Sequence, residues 1–334
     1  MTLPKVAVLS LGGTISSTNT GGGPGVVPTL SGEALVEDVP QMAEVAEVSA
    51  ASFRQVASSE LTVDDLVELA AEISRRMGEG ASGVVVTQGT DTIEESAFVL
   101  DLLVDRDEPV VVTGAMRNPT LPGADGPANL LASVQVAASD VARGLGTVVV
   151  LNDEIHAARF VRKTHTQSPA TFKSPLLGPV GFVSEGTPRI ALRPVNRHHV
   201  SLPTGSRDRP VALLTGVLGD DGRLVGEVER LGYAGLVIEA MGGGHLPSVT
   251  VEPLASLARD MPVVLASRTG GGEVLRRTYG FPGSETDLLS RGLINAGTLD
   301  GRKARLLLSL LLRSGATGEE ISATFDRWPD GGPA

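Results

Sequence analysis

The sequence predicts a layered α/β protein of two domains, with a mostly parallel sheet in the larger N-terminal domain and a smaller parallel-sheet C-terminal domain. Three observations lead there. Short β-branched runs alternate with stretches of helical periodicity, as strand–helix–strand units require. Hydrophobic residues make up 41% of the chain but aromatics only 3%, so the core has to be built from Val, Leu, Ile and Ala, the composition of strands covered by helices. The length, 334 residues, suits two domains better than one or three. A stretch rich in prolines, histidines and polar residues at 194–209 reads as the linker between domains 1–193 and 210–334.

Taken in order, residues 6–11 form an apolar strand that runs straight into Gly12, Gly13 and Thr14. The polar, glycine-rich segment 16–25 cannot pack, and reads either as a surface loop or as a lid closing over Thr14. A short helix is expected over 31–36 and short strands over 45–48 and 52–56. The next helix starts at Thr62 as N-cap and carries Leu66, Leu69, Ile73 and Met77 on one face. Val84, Val85 and Val86 are a buried strand, and Asp91 and Thr92 open a helix with Glu94 and Glu95 in its first turn. Strands at 109–113 and 147–151 flank a helix at 128–141. In the loop 114–127, Arg117 and Asp125 fix turns. A strand pair, 178–183 and 189–193, closes the first domain. The second domain repeats the pattern with strands at 211–215, 235–239 and 262–267 and helices at 224–230, 253–259, 303–312 and 318–327.

Composition removes several functions. A net charge of −11 is wrong for a nucleic-acid backbone or an anionic membrane. The chain has no cysteine, so thiol nucleophiles, thiolate metal sites and disulfides are excluded. His198 and His199 lack a third ligand at metal spacing and read as a solvated pair. No metal and no organic cofactor is expected. The first residues lack a basic segment before an apolar one, and no stretch reaches the length of a membrane span, which points to a cytoplasmic protein. There is no P-loop, dinucleotide fingerprint, nucleophile elbow or zinc-protease helix.

Chemistry concentrates in residues 84–95, around which the chain is organised. Three valines deliver the turn Thr87–Thr90 to a helix start, so Thr90 and Asp91 sit at the carboxyl end of a strand, where ligands bind in open α/β sheets. N–H groups there favour an anion or a developing oxyanion. The strand at 6–11 delivers Thr14 to a glycine turn in the same way. If the two strands are neighbours, Thr14 and Thr90 face one cavity. Lysine is scarce: Lys5, Lys163, Lys173 and Lys303 are all there are, with arginine elsewhere. Lysine can change protonation when desolvated and arginine cannot, which draws attention to Lys163.

Leu11-Gly-Gly-Thr-Ile15, Gln88-Gly-Thr-Asp-Thr-Ile-Glu-Glu95, Thr113-Gly-Ala-Met-Arg117 and Ala124-Asp-Gly-Pro-Ala-Asn-Leu130 resemble bacterial L-asparaginases of the type II branch. So do Val161-Arg-Lys-Thr164, Ala170-Thr-Phe-Lys-Ser174, Gly297-Thr-Leu299 and Lys303-Ala-Arg305. The resemblance implies hydrolysis of L-asparagine to L-aspartate and ammonia, with Thr14 as nucleophile and Thr90, Asp91 and Lys163 as a charge relay. It implies a substrate pocket formed by Gly13, Ser58, Ser59, Gly89, Thr90 and Asp91, with Glu285 contributed to a neighbouring subunit's site. Ser59 stands where many members have glutamine, and the family's lid tyrosine has no counterpart, since Tyr233 and Tyr279 are the only tyrosines. A homotetramer, assembled as a dimer of dimers with sites at its interfaces, is the assembly implied. Preference for L-asparagine, L-glutamine or both, or for another ω-amide, stays open, as does a non-catalytic sensor.

Overall fold

The computed structural model describes residues 2–13, 15, 17–18, 27–28 and 32–328. They fall into two compact units, Met1–His199 and Val200–Ala334. In chain order the first holds β1 (Lys5–Ser10), β2 (Ser17–Thr18), β3 (Val27–Pro28), α1 (Gly32–Glu37), β4 (Glu47–Ser52), α2 (Val63–Gly78), β5 (Gly83–Thr87), α3 (Ile93–Leu103), β6 (Val110–Thr113) and α4 (Gly126–Ala137). It continues with β7 (Thr147–Leu151), β8 (Glu154–Ala157), β9 (Arg162–Lys163), β10 (Phe172–Lys173), β11 (Gly181–Ser184) and β12 (Thr187–Ile190).

The main sheet is 8-stranded, in the order β12-β11-β8-β7-β6-β5-β1-β4. Strands β4, β1, β5, β6 and β7 run parallel, and β8, β11 and β12 are added antiparallel. The sequences GVVVT, VVVT and TVVVL are buried throughout, as strands covered on both faces must be. One face turns Val85, Val111, Val148 and Val150 toward Leu130, Val134 and Ala137 of α4. By strand alternation the other face turns Val84, Val86, Val110 and Val112 toward the side of α2 and α3, which contact β5 and β6 respectively.

Helix α2 starts on a reciprocal capping box between Thr62 and Asp65. Helix α4 starts two residues earlier than its periodicity suggests, because Pro127 fits the first turn of a helix. The two strands expected at 45–48 and 52–56 are one, β4, since parallel pairing with β1 runs unbroken from Lys5↔Glu47 to Ser10↔Ser52. Strand β8 was not expected. Asn152 and Asp153 both have positive φ, 53° and 59°, and turn the chain back tightly after β7.

The topology places a crevice. From β1 the chain passes to β4 on one side and then resumes at β5 on the other. Loops leaving the carboxyl ends of β1 and β5 therefore diverge, and the gap between them is where open α/β sheets bind ligands. The two strands are direct neighbours, with Ser10 opposite Thr87.

Residues up to 199 of the expected linker belong to the first unit. Arg197 donates to the carbonyls of Arg106 and Val104 at 2.9 and 3.0 Å. His199 lies 3.1 Å from Asp105, so the histidine pair is not simply solvated.

The second unit holds β13 (Val211–Thr215), β14 (Gly235–Ala240), α5 (Val251–Asp260), β15 (Val263–Ser267), α6 (Glu285–Ser290), β16 (Ile294–Asn295), α7 (Gly301–Ser314) and α8 (Gly318–Phe325). Its sheet is parallel, in the order β13-β14-β15-β16. The helix expected at 224–230 is only a 3-10 turn at Val225–Glu227. Gly226 lies inside it, Gly232 follows it, and Leu224 and Leu231 point to solvent, so no apolar stripe long enough for a helix exists there. Among the described residues no helix is long and apolar enough to cross a membrane.

Candidate active site

At the mouth of the β1/β5 crevice the two glycine turns touch. Gly13 has φ +88°, and a Cβ built on it would lie 2.0 Å from the Gly89 nitrogen. Glycine is thus required twice over at residue 13, by its backbone conformation and by its neighbour. Gly89 in turn abuts Ser58: a Cβ there would stand 2.6 Å from the serine Oγ. Ser58 is buried, in a 3-10 turn over Ser58–Glu60, and Ser59 beside it is exposed. Thr14 lies outside the described residues. So does the segment 16–25, apart from Ser17 and Thr18, whose backbones pair with Pro28 and Val27.

Thr90 and Asp91 open a 3-10 turn, Thr90–Thr92, that leads directly into α3. Thr90 is 7% exposed, whereas the Asp91 side chain is 73% exposed, so the pair spans the wall and the rim of the crevice. Lys163 reaches them from β9. Its Nζ donates to Thr90 Oγ1 at 2.9 Å and to Asp91 Oδ1 at 2.7 Å. The lysine side chain is 15% exposed, so its hydrogen bonds replace most of its hydration.

The turn is held by Gln88 and Thr92, whose side chains carry no expected role in the site. Gln88 Nε2 donates to Thr92 Oγ1 at 3.2 Å, and Thr92 Oγ1 donates to the Ser58 carbonyl at 3.1 Å. That chain ties the Ser58 turn to the Thr90 turn. A glutamine four residues before a threonine at a helix start was the available signal. Behind them, Asp125 accepts the N–H groups of Met116 and Arg117, and Asn129 donates to the Gly114 carbonyl and to Asp125. Arg117 donates to the Gly123 carbonyl. This is the turn-fixing expected of Arg117 and Asp125.

Glu285 belongs to the second unit, where it is fully buried at the start of α6. Its Oε1 accepts the N–H groups of Thr278 and Tyr279, both at 2.8 Å. Burial pushes its carboxyl up, but the Tyr279 and Thr278 N–H groups outweigh that and hold it below the usual range. Its Oε2 lies 3.3 Å from His245 Nε2, and the His245 ring packs edge-on against Tyr279 at 4.8 Å.

Comparison with known proteins adds the remaining link. A family model described as the asparaginase N-terminal domain matches residues 5–196. A second, the glutaminase/asparaginase C-terminal domain, matches residues 210–325. The chain belongs to the asparaginase family. L-asparaginase 2 of Bacillus subtilis is 34% identical over 337 residues, covering 98% of this chain and 87% of that one. L-asparaginase 2 of Escherichia coli is 32% identical over 339 residues, covering 98% and 94%. The crystal structure of a probable cytoplasmic L-asparaginase from Campylobacter jejuni matches with a TM-score of 0.88 at 31% identity, over 96% of this chain and 99% of that one. The two-domain α/β fold is therefore an asparaginase fold. Gly13, Ser58, Gly89, Thr90, Asp91 and Lys163 all fall within the N-terminal asparaginase match, and Glu285 within the C-terminal one.

Proposed function

We propose that the chain hydrolyses L-asparagine to L-aspartate and ammonia at the β1/β5 crevice, through an acyl-enzyme on Thr14. The observation that carries the site is the Lys163 ammonium bridging Thr90 Oγ1 and Asp91 Oδ1 from a separate strand. Binding alone would not need a hydroxyl, a carboxylate and a lysine linked in this way. An ammonium donating to Thr90 Oγ1 turns the hydroxyl proton away from itself and eases its loss, and Asp91 holds the ammonium in place.

In the first step Thr14 Oγ1 bonds to the side-chain amide carbon. Its proton passes, through water or the Thr90 relay, to the amide nitrogen, which leaves as ammonia. Backbone N–H groups near Gly89 and Thr90, beside a helix start, stabilise the oxyanion. Water then attacks the ester carbon, the Thr14 oxygen takes back a proton, and aspartate leaves. Gly13, Ser58 and Asp91 hold the α-amino and α-carboxylate groups, with Ser59 at the exposed edge. Glu285 is assigned to a neighbouring subunit's site, in a homotetramer built as a dimer of dimers. The exposure of Leu218, Leu224 and Leu231, at 96%, 68% and 68%, suits burial in such an assembly. A cytoplasmic location accords with the Campylobacter jejuni relative, a probable cytoplasmic L-asparaginase.

The test is ammonia release from L-asparagine, L-glutamine and D-asparagine side by side, with light scattering for assembly. Release from L-asparagine that disappears in Thr14→Ala supports the reading. Comparable release from L-glutamine widens it to a dual asparaginase-glutaminase. Normal turnover by Thr14→Ala overturns the nucleophile, and binding without release from any substrate favours a sensor.

A further inference from the structure

Lys163 sits on an element that the main sheet does not hold. Among the described residues strand β9 pairs only with β10, in a two-residue ladder with Lys163 opposite Phe172. A ladder that short has little stability of its own. Yet the Lys163 ammonium has to be placed to within a fraction of an ångström between Thr90 and Asp91. Something must fix the peptide that carries it relative to the helix start that carries them.

Glu94 makes that connection. It is the second residue of α3, three positions after Asp91, and is 2% exposed. Its Oε2 accepts the backbone N–H of Lys163 at 2.5 Å. The direction of that N–H follows from the hairpin. Thr164 N–H donates across to the Thr171 carbonyl at 2.9 Å, and N–H groups alternate sides along a strand, so the Lys163 N–H points away from β10. It lies on a free strand edge, where it needs an acceptor from elsewhere. A carboxylate at the N-terminus of a helix supplies one, stabilised there by the helix dipole and making a charge-assisted bond.

We infer that Glu94 is a positioning residue for the reaction. It docks the Lys163 peptide on the first turn of α3 and so sets the distance from Nζ to Thr90 Oγ1 and Asp91 Oδ1. Glu94 does not touch substrate. The inference rests on the proposed roles of Thr90, Asp91 and Lys163, and the two can fail separately.

On the opposite side the hairpin has a second tether, which leaves it docked but not registered. His156 Nδ1 of β8 lies 3.0 Å from Ser174 Oγ, one residue beyond β10, and Lys173 bonds Glu154 at 2.8 Å. These contacts hold β10 to β8. They act at the far strand of the ladder and do not touch β9.

The experiment compares Glu94→Gln, Glu94→Asp and Glu94→Ala with the parent chain and with Lys163→Ala, by kcat, KM and thermal midpoint. Glutamine keeps an acceptor of the same reach without the charge. Aspartate keeps the charge at the helix start but is one methylene too short. Positioning predicts that glutamine stays within about tenfold of the parent kcat, while aspartate and alanine lose on the order of 10²-fold, with KM changing far less. Aspartate is the decisive variant, because its preserved charge keeps the helix start intact. An aspartate variant with parental kcat would overturn the inference, as would losses that follow the thermal midpoint and spare kcat per folded chain. If Lys163→Ala keeps full turnover, the relay itself fails, independently of what Glu94 does.

Discussion

Replacing Gly13 by alanine tests whether the crevice depends on the contact between its two turns. The added methyl would meet Gly89 N at 2.0 Å, Gly89 Cα at 2.4 Å and the Gln88 carbonyl carbon at 2.6 Å. All three are backbone atoms, so no side-chain rotation relieves the clash. Ordinary carbon contacts lie at roughly 3.5–4.0 Å, so the turns have to part by about 1.5 Å. A side chain at φ +88° adds strain of about 1–2 kcal/mol, and the crowding adds about 1–3 kcal/mol. The sum, roughly 2–5 kcal/mol, is a large part of the usual 5–15 kcal/mol of a domain. Gly80→Ala is the control, because Gly80 has φ +99° and nothing within 4 Å of the added methyl. It carries the strain alone. Urea midpoints of the two variants isolate the crowding, and ammonia release gives its catalytic effect. A displacement of about 1 Å at a reacting centre lowers the rate on the order of 10²-fold, so Gly13→Ala should lose at least that much kcat while Gly80→Ala keeps the parental value. If Gly13→Ala matches Gly80→Ala in midpoint and turns over normally, the turns are not in the contact described and the crevice is wrongly placed.

Lys163→Arg should not rescue Lys163→Ala, because a planar guanidinium cannot put one nitrogen between Thr90 and Asp91; both variants should lose about 10²–10⁴-fold in kcat in the ammonia assay. Asp125→Ala removes the acceptor of the Met116 and Arg117 N–H groups and one of the two Asn129 amide contacts, and should lower stability by about 1–3 kcal/mol in urea titrations while turnover at 25 °C persists. Burial lowers the His156 pKa below its ordinary value, against the pull of Glu154. The unfolded chain then binds the extra proton, so this stability is fully present above about pH 6.5 and is lost as pH falls through the folded-state value. Thermal midpoints from pH 7.5 to pH 5 should therefore fall more steeply for the parent than for His156→Gln, about where histidine titrates; parallel slopes would refute it.

Much of the fold was legible because the strongest signals were local. The runs Val84–Val86 and Val110–Val112 are unbroken and apolar, and a two-sided parallel sheet leaves that mark. Caps were legible for the same reason: Thr62 needs only Asp65, three residues away. Strand order was not legible. That β1 lies beside β5 depends on a chain path past β4, and the sequence left the meeting of the two turns conditional on it. The false helix at 224–230 came from an apolar spacing of which Val225 and Val228 are buried while Leu224 and Leu231 stay exposed. Scarcity of lysine was a partial guide. Lys163 is in the crevice, but Lys173 pairs with Glu154 and Lys303 is buried in the second unit, so the signal marked special environments and not chemistry alone.

The parts of the site that could not be read share one property: they act across the chain and through the backbone. Glu94 reads as an ordinary helix-start carboxylate, and only the fold supplies the peptide 69 residues away that it holds. This divides the site by mechanical support. Gly13, Gly89, Thr90 and Asp91 leave strands of the main sheet or the helix packed on it, so changes there disturb stability and activity together. Lys163 rides on a two-residue ladder tethered from two sides, Glu94 at β9 and the β8 contacts beyond β10. The apolar burial of that ladder lies in Phe172, which the Glu94 and Lys163 variants leave in place, so changes at those two residues should lower turnover with small effects on the unfolding midpoint. Two classes of variant should then separate on a plot of turnover against stability, and the Glu94 series belongs with Lys163, not with the residue beside which it lies in sequence.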